Sequence, residues 1–180
     1  MADKDVFEAR DGNELTYDEK KNALNLITMV KEIRDGKIYG RAFADVRKQR
    51  KYITKEELSS PTIQLESLMI TLLVGAHQRR NVATADVAGA YLFSDIDEDV
   101  PIKINGKSTD ILCKVNPSFK KFVINERGKN TLYLRLTKAL YGCMESALLW
   151  YRTFKECLDE LGFKLNPYEP CVANTTIEGD

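Results

Sequence analysis

The strongest constraint on the fold lies between residues 131 and 136. Leu132, Leu134 and Leu136 alternate there with Tyr133 and Arg135, the two-residue period of a strand laying one row of side chains on a core. Arg127-Gly128-Lys129 just before it suits a hairpin turn. Residues 146–161 just after it read as a helix closed by Gly162. A strand in that setting predicts an α+β domain, in which antiparallel strands are interspersed with packed helices.

The remaining segments extend this pattern. Residues 1–16 are polar and read as a loose lead-in. Thr16-Tyr17-Asp18-Glu19 fits a capping box, and Ala23, Leu24, Ile27, Val30 and Ile33 follow at helical spacing. That spacing predicts a helix ending near the turn dipeptide Asp35-Gly36. Residues 37–53 read as a strand pair, or a strand and a loop. After Pro61, the stripe Leu65, Leu68, Met69, Leu72, Leu73 and Ala76 is wide enough for a mostly buried helix. Residues 81–87 form a short β-prone stretch ending near an aspartate. Residues 100–104 alternate like a strand and stop at Asn105-Gly106, a hairpin signal. Pro167 and Pro170 bracket a turn, and residues 171–175 begin a last strand.

Composition excludes several classes of function. The formal charge is zero, from 27 basic and 27 acidic residues, so the chain as a whole is not a generic binder of polyanions. The best apolar run, residues 68–76, is about half what a bilayer requires, and no basic-then-apolar leader opens the chain. The expectation is an intracellular protein, in cytoplasm or nucleus, with no membrane partner. Cys113, Cys143, Cys157 and Cys171 are scattered and suit reduced, mostly buried thiols. With His77 as the lone histidine, neither a zinc site nor a serine–histidine–acid triad is expected.

Four features carry possible chemistry. Asp86, followed by the small residues Ala88, Gly89 and Ala90, puts a carboxylate where a ligand can approach the backbone. Paired Mg²⁺ ions in phosphoryl transfer use such oxygen ligands, and Tyr91 is placed to stack beneath a nucleotide sugar. The plainer alternative is a turn-capping Asp86 and a core Tyr91. Between residues 37 and 51, six bases (Lys37, Arg41, Arg47, Lys48, Arg50 and Lys51) face the single acid Asp45, enough to attract a phosphate backbone or simply to form a solvated face. The acidic run of residues 95–99 opens like a calcium loop, but Val100 occupies the glycine position, and a solvated loop is expected. Finally, Gly142 precedes a helix rich in aromatics and permits close approach to the helix start; those aromatics suit core packing or a stacking platform.

The order of these features is more specific than any one of them. Arg41-Ala42-Phe43-Ala44, Ser60-Pro61-Thr62-Ile63-Gln64-Leu65-Glu66-Ser67 and Ala85-Asp86-Val87-Ala88-Gly89-Ala90-Tyr91-Leu92 occur in series. Leu136-Thr137-Lys138-Ala139-Leu140-Tyr141-Gly142, Trp150-Tyr151 and Asn166-Pro167-Tyr168-Glu169-Pro170-Cys171-Val172 follow. Together, over residues 35–175, the chain resembles copia-type retrotransposon reverse transcriptases, which are RNA-directed DNA polymerases. The resemblance implies a right-handed polymerase fold, with fingers over residues 17–80 and the start of a palm over residues 81–180. It implies Mg²⁺ bound at Asp86 and the Val87 carbonyl, and the incoming deoxynucleotide held by Arg41, Tyr91 and Gly142. Arg47, Lys48, Arg50 and Lys51 would then lie along nucleic acid. The implied partners are an RNA or DNA template with its primer and the remainder of a polyprotein.

The chain also departs from that family. Tyr39 stands where a lysine is usual, and Asp45 where a base is common. Cys143-Met144-Glu145-Ser146-Ala147 replaces the usual Leu-Lys-Gln-Ala-Pro, and Glu145 receives no role. The sequence ends at Asp180 before any pair of adjacent aspartates. The expectation is therefore a partial domain that does not polymerise alone. The alternative is a non-catalytic nucleic-acid-binding remnant of a transposable element.

Overall fold

The computed structural model describes residues 6–32, 36, 38–47 and 59–176. Its centre is a mixed sheet in the order β1 (Phe7–Arg10), β6 (Lys129–Leu136), β4 (Pro101–Asn105), β2 (Leu24–Glu32), β3 (Ile38–Asp45), with β5 (Ile124–Glu126) also paired to β6. All pairs are antiparallel except β2 with β4, where Leu24 aligns with Ile102 and Asn25 with Lys103. The expected all-antiparallel arrangement is corrected on that point: β2 and β4 run the same way, joined by the long connection a parallel pair requires.

The strand of residues 131–136 is the hub. Leu132, Leu134 and Leu136 are fully buried beside Ile102, Ile104 and Leu24. β6 enters through the anticipated turn, where Arg127 and Gly128 both have positive φ (52° and 76°), as a tight hairpin of matching twist demands. The loose lead-in expected before residue 16 is corrected. Val6 is 1% exposed and belongs to the core, and β1 pairs Phe7 with Leu136. A short polar strand carries little sequence signal, because the ladder on β6 rather than its own composition orders it.

The capping box is present: Glu19 N–H donates to Thr16 Oγ1, and Thr16 N–H donates to Glu19 Oε2 at 2.8 Å. The helix it starts is nevertheless short, α1 (Tyr17–Asn22), and where the predicted helix continues the structure has the strand β2 to Glu32 instead, residues 33–35 lying outside the described set. Apolar residues three apart suit a helix, but β2 gains a complete ladder with β3, from Asn25↔Asp45 to Glu32↔Ile38. Tertiary pairing overrides local periodicity here. Among the described residues of 37–53 there is one strand, β3, and its partner β2 lies outside that span, while residues 37 and 48–53 lie outside the described set.

Two further expectations are corrected. Asn105-Gly106 does not close a hairpin; Gly106, at φ 61° and ψ −131°, starts α3 (Lys107–Val115). That helix buries Thr109 and Cys113, and the Thr109 hydroxyl donates to the Ile104 carbonyl at 3.0 Å. The helix α2 (Leu65–His77) forms as expected but buries none of its residues; Leu65, Ile70 and Leu73 are each more than 60% exposed.

The C-terminal helix α4 (Ser146–Glu160) ends as the sequence indicates. Gly162 has φ 80°. Its N–H donates to the Asp159 carbonyl, and that of Phe163 to Leu158, the paired bonds of a Schellman cap. Beyond it, β7 (Lys164–Leu165) pairs with β8 (Ala173–Asn174) around the expected proline-flanked turn. The turn is fastened to α2 by Glu169, whose carboxylate accepts from Gln64 N–H and Cys171 N–H.

Candidate functional site

Three distant segments meet at the end of β3. Strand alternation turns Ala42 and Ala44 inward and leaves Arg41 exposed. The turn before α4 lies against the strand, with Ala44 N–H donating to the Tyr141 carbonyl at 2.9 Å. The approach is so close that a Cβ on Gly142 would lie 2.3 Å from the Ala44 carbonyl oxygen. Gly142 also has φ 94°, so this position requires glycine twice over. What comes close to Gly142 is thus the strand backbone.

That contact sets Tyr141 beneath Arg41, whose guanidinium carbon is 4.9 Å from the ring centroid. Tyr91 completes the cluster, its ring centroid 4.5 Å from that of Tyr141 at an interplanar angle of 44°. Gly89, at φ 67°, and the 3-10 turn Ala90–Phe93 put Tyr91 there. Of the residues singled out for nucleotide binding, Arg41, Tyr91 and Gly142 are therefore gathered into one place. The residue that joins them, Tyr141, was quoted in the sequence as part of a motif but given no role. Its adjacency to an obligatory glycine was the available signal. Chemically, an exposed guanidinium stacked on a ring keeps its outer N–H groups for an anion, and the tyrosines offer faces to a sugar or base.

Asp86 and Val87 are placed differently. Residues 81–87 form no strand and are exposed throughout, Val87 at 43%. The expected strand is corrected: a β-prone stretch needs a neighbouring ladder, and among the described residues none pairs with it. No group of three or more histidine, cysteine, aspartate or glutamate residues able to hold a metal occurs among the described residues. A single exposed carboxylate with one neighbouring carbonyl leaves most of the octahedral sphere that Mg²⁺ demands unfilled.

The basic stripe is only partly described. Arg47 is 85% exposed along its side chain and grips Asp45 through both Nε (2.8 Å) and NH2 (2.6 Å). The hydrogen bond and charge of Asp45 hold its guanidinium above its ordinary pKa. Arg47 therefore compensates Asp45 locally. Lys48, Arg50 and Lys51 lie outside the described residues. The acidic loop at residues 95–99 is more tethered than a solvated loop: Ile96 is buried, Asp95 pairs with Lys138, and Asp99 accepts from Arg10 at 2.6 Å.

Glu145 stands at the N-cap of α4. Burial, then the charge of and hydrogen bond with Glu98, raise its carboxyl above the ordinary range. All four cysteines are free, with Cys113 and Cys143 buried and Cys157 exposed. Burial pushes the Cys143 thiol up to about 11, which leaves it protonated and unreactive at neutral pH. The aromatic run on α4 lies outside the core, with Trp150 and Tyr151 half-buried and Phe154 exposed. Trp150 stacks on Phe154 at 5.5 Å, while Phe93 and Phe154 stay 51% and 44% exposed.

The fold is an α+β domain in which a surface arginine and two tyrosines converge on a glycine-dependent turn. Residues 14–174 match the family described as reverse transcriptase (RNA-dependent DNA polymerase), and the chain belongs to that family. Among its relatives is the transposon Ty1-BL Gag-Pol polyprotein of Saccharomyces cerevisiae, 27% identical over 146 residues, which cover 79% of this chain and 7% of the relative. The truncated transposon Ty1-A Gag-Pol polyprotein of the same organism is 28% identical over 148 residues, 79% of this chain and 11% of the relative. The chain thus spans about a tenth or less of the length of these proteins, and the copia-type resemblance is borne out. No solved structure matches it. Among the described residues, no helix is long and apolar enough to cross a membrane.

Proposed function

We propose that the chain is the fingers and first palm portion of a retrotransposon RNA-directed DNA polymerase. In that enzyme it holds the incoming deoxynucleotide against a template and primer. The observation that carries this reading is the contact of Tyr141 with both Arg41 and Tyr91, which joins two of the residues that the family resemblance assigns to nucleotide binding. Arg41 grips the triphosphate, Tyr91 lies under the sugar and excludes a 2′-hydroxyl, and Gly142 lets the Tyr141 turn close on β3.

Asp86 and the Val87 carbonyl contribute to a metal centre whose other ligands lie outside the described residues. The boundary between fingers and palm falls near residue 80, at the end of α2. Lys48, Arg50 and Lys51, with Arg47, run along the nucleic-acid backbone. The rest of the catalytic centre belongs to the remainder of a polyprotein.

The test is a fluorescence titration of the purified chain with dUTP and UTP, which differ only at the 2′ position. Arg41→Ala is expected to weaken dUTP binding about tenfold, on the scale of a lost charge-assisted contact, and Tyr91→Ala to erase any preference for the deoxy form. Unchanged binding in both variants would sink the reading. The chain alone should show no Mg²⁺-dependent primer extension; an extension signal abolished by Asp86→Asn would overturn the incomplete-centre part.

A further inference from the structure

One cavity lies on the face of the sheet opposite the hydrophobic core. Its floor comes from the other side of the alternating strands: Lys103 lies between the core residues Ile102 and Ile104, and Tyr133 between Leu132 and Leu134. Helix α1 and the β5–β6 hairpin wall a space of about 780 Å³, within the range of small-ligand sites.

The lining is strongly one-signed. Lys20, Lys21, Lys103, Arg127 and Lys129 surround it, with Glu126 the one acid among the described lining residues. In a chain of zero net charge, that excess of four positive charges is local. It is also held in place. Lys103 Nζ donates to Glu126 Oε2 at 2.6 Å, and the Tyr133 hydroxyl donates to the same carboxylate at 3.1 Å. The Lys103 ammonium lies 5.2 Å from the Tyr133 ring centroid, and the Lys20 ammonium 6.0 Å. Tyr133, 1% exposed, also lies close to Gly12, where an added Cβ would come within 3.1 Å of the ring.

We propose that this cavity is a binding site for a phosphate-rich anion, beyond the nucleotide cluster at Arg41. Glu126 pairs with Lys103 at 2.6 Å and with Lys20 at 3.9 Å, while the exposed Arg127 and Lys129 on the hairpin present their charges to phosphate oxygens. Like charges gathered around one concavity repel one another, and a bound polyanion relieves that repulsion while its several oxygens accept from several ammonium groups at once. The shared chemistry is that of consecutive phosphates, supplied either by a free polyphosphate or by a nucleic-acid backbone.

The experiment is calorimetric titration of the full chain carrying Arg41→Ala, so that the Arg41 cluster does not contribute. The probes are inorganic triphosphate and a 12-nucleotide single strand. Triphosphate is expected to bind, and Arg127→Gln with Lys129→Gln, two exposed residues outside the Glu126–Tyr133 network, should weaken it about tenfold. Adding Lys20→Gln should weaken it further, whereas the control pair Arg152→Gln and Lys155→Gln on α4 should leave it unchanged. Glu126→Gln should tighten it several-fold; if that variant unfolds by circular dichroism, the Arg127/Lys129 pair decides alone. Tighter binding of triphosphate than of the strand assigns the site to free polyphosphate; tighter, steeply salt-dependent binding of the strand assigns it to nucleic acid. Absence of binding by both probes, or equal weakening by the control pair, overturns the proposal. Because Arg41 is absent throughout, failure here leaves the nucleotide reading untouched.

Discussion

The neighbourhood of β6 and the stretch from α2 to Gly89 are both apolar in sequence but opposite in structure. Around β6, Leu132, Leu134 and Leu136 are fully enclosed, with strands on both sides and α3 above. Along α2, Leu65, Leu68, Met69, Leu72 and Leu73 stay between 39% and 69% exposed, and residues 81–88 are exposed throughout. Apolar content marks surface that needs covering; it does not say that the covering lies in the same chain. Exposed apolar area on this scale is uncommon on monomeric proteins, and it accords with the proposal that the chain is one portion of a larger polymerase.

The sharpest way to break this comparison is to cut matched leucines. Leu134→Ala removes a fully buried side chain at the hub and should cost about 3–4 kcal/mol. Leu73→Ala on α2 should cost under about 0.5 kcal/mol in the isolated chain, as substitutions away from a packed core do. Urea unfolding of both variants reads the difference directly. Equal losses would mean that α2 is covered in solution, and the contrast would fail.

A second, somewhat smaller effect is expected at the turn between β6 and α4, which packs on β3. Gly142→Ala places a Cβ into the Ala44 carbonyl at a backbone φ of 94°, and should cost about 2–3 kcal/mol, the scale of backbone strain with a steric clash. It should also separate Tyr141 from Arg41. Thermal melting with tyrosine fluorescence reports both; a variant as stable as the parent would deny that this close approach organises the cluster.

How much of this was legible depended on where each signal's cause lay. The alternation of Leu132, Leu134 and Leu136 and the Arg127-Gly128 turn are local, and the sequence spelled both. So was the Thr16–Glu19 box, yet its helix stops at Asn22 because β2 pairs with β3 and β4, partners distant in sequence. β1 was missed for the same reason: the edge of β6 orders it. Of the site, Arg41, Tyr91 and Gly142 were legible through the order of motifs. Tyr141 was not, since its role comes from a packing distance. The cavity over Tyr133 was invisible because its cations come from three separate stretches, at residues 20–21, 103 and 127–129, none of them a long charge run.

Within the packed region, the buried polar network allows a finer test. Tyr133→Phe keeps the ring but removes the hydroxyl that donates to Glu126. The loss should be about 1–2 kcal/mol, as for a hydrogen bond to a charged group, because Glu126 retains Lys103. Urea unfolding at neutral pH measures it. A loss as large as that of Leu134→Ala would move the network from trimming the hub to holding it together.

The smallest effect is the one that changes with pH. Burial and the neighbouring Glu98 raise the Glu145 carboxyl above its ordinary value, so the folded chain binds that proton more tightly than the unfolded chain. The stability linked to Glu145 is then fully present below the unfolded pKa and is lost as pH rises through the folded one. At neutral pH the ionised carboxylate faces the repulsion of Glu98, softened by solvent because the group is only partly buried. Glu145→Gln should therefore raise the midpoint of thermal unfolding at pH 7 by an amount worth less than about 0.5 kcal/mol, and the gain should vanish near pH 4. Melting both chains from pH 4 to pH 8 decides the matter. A gain that ignores pH would locate the effect in packing at the start of α4, and a loss at pH 7 would mean that the Glu145 charge is stabilised there rather than opposed.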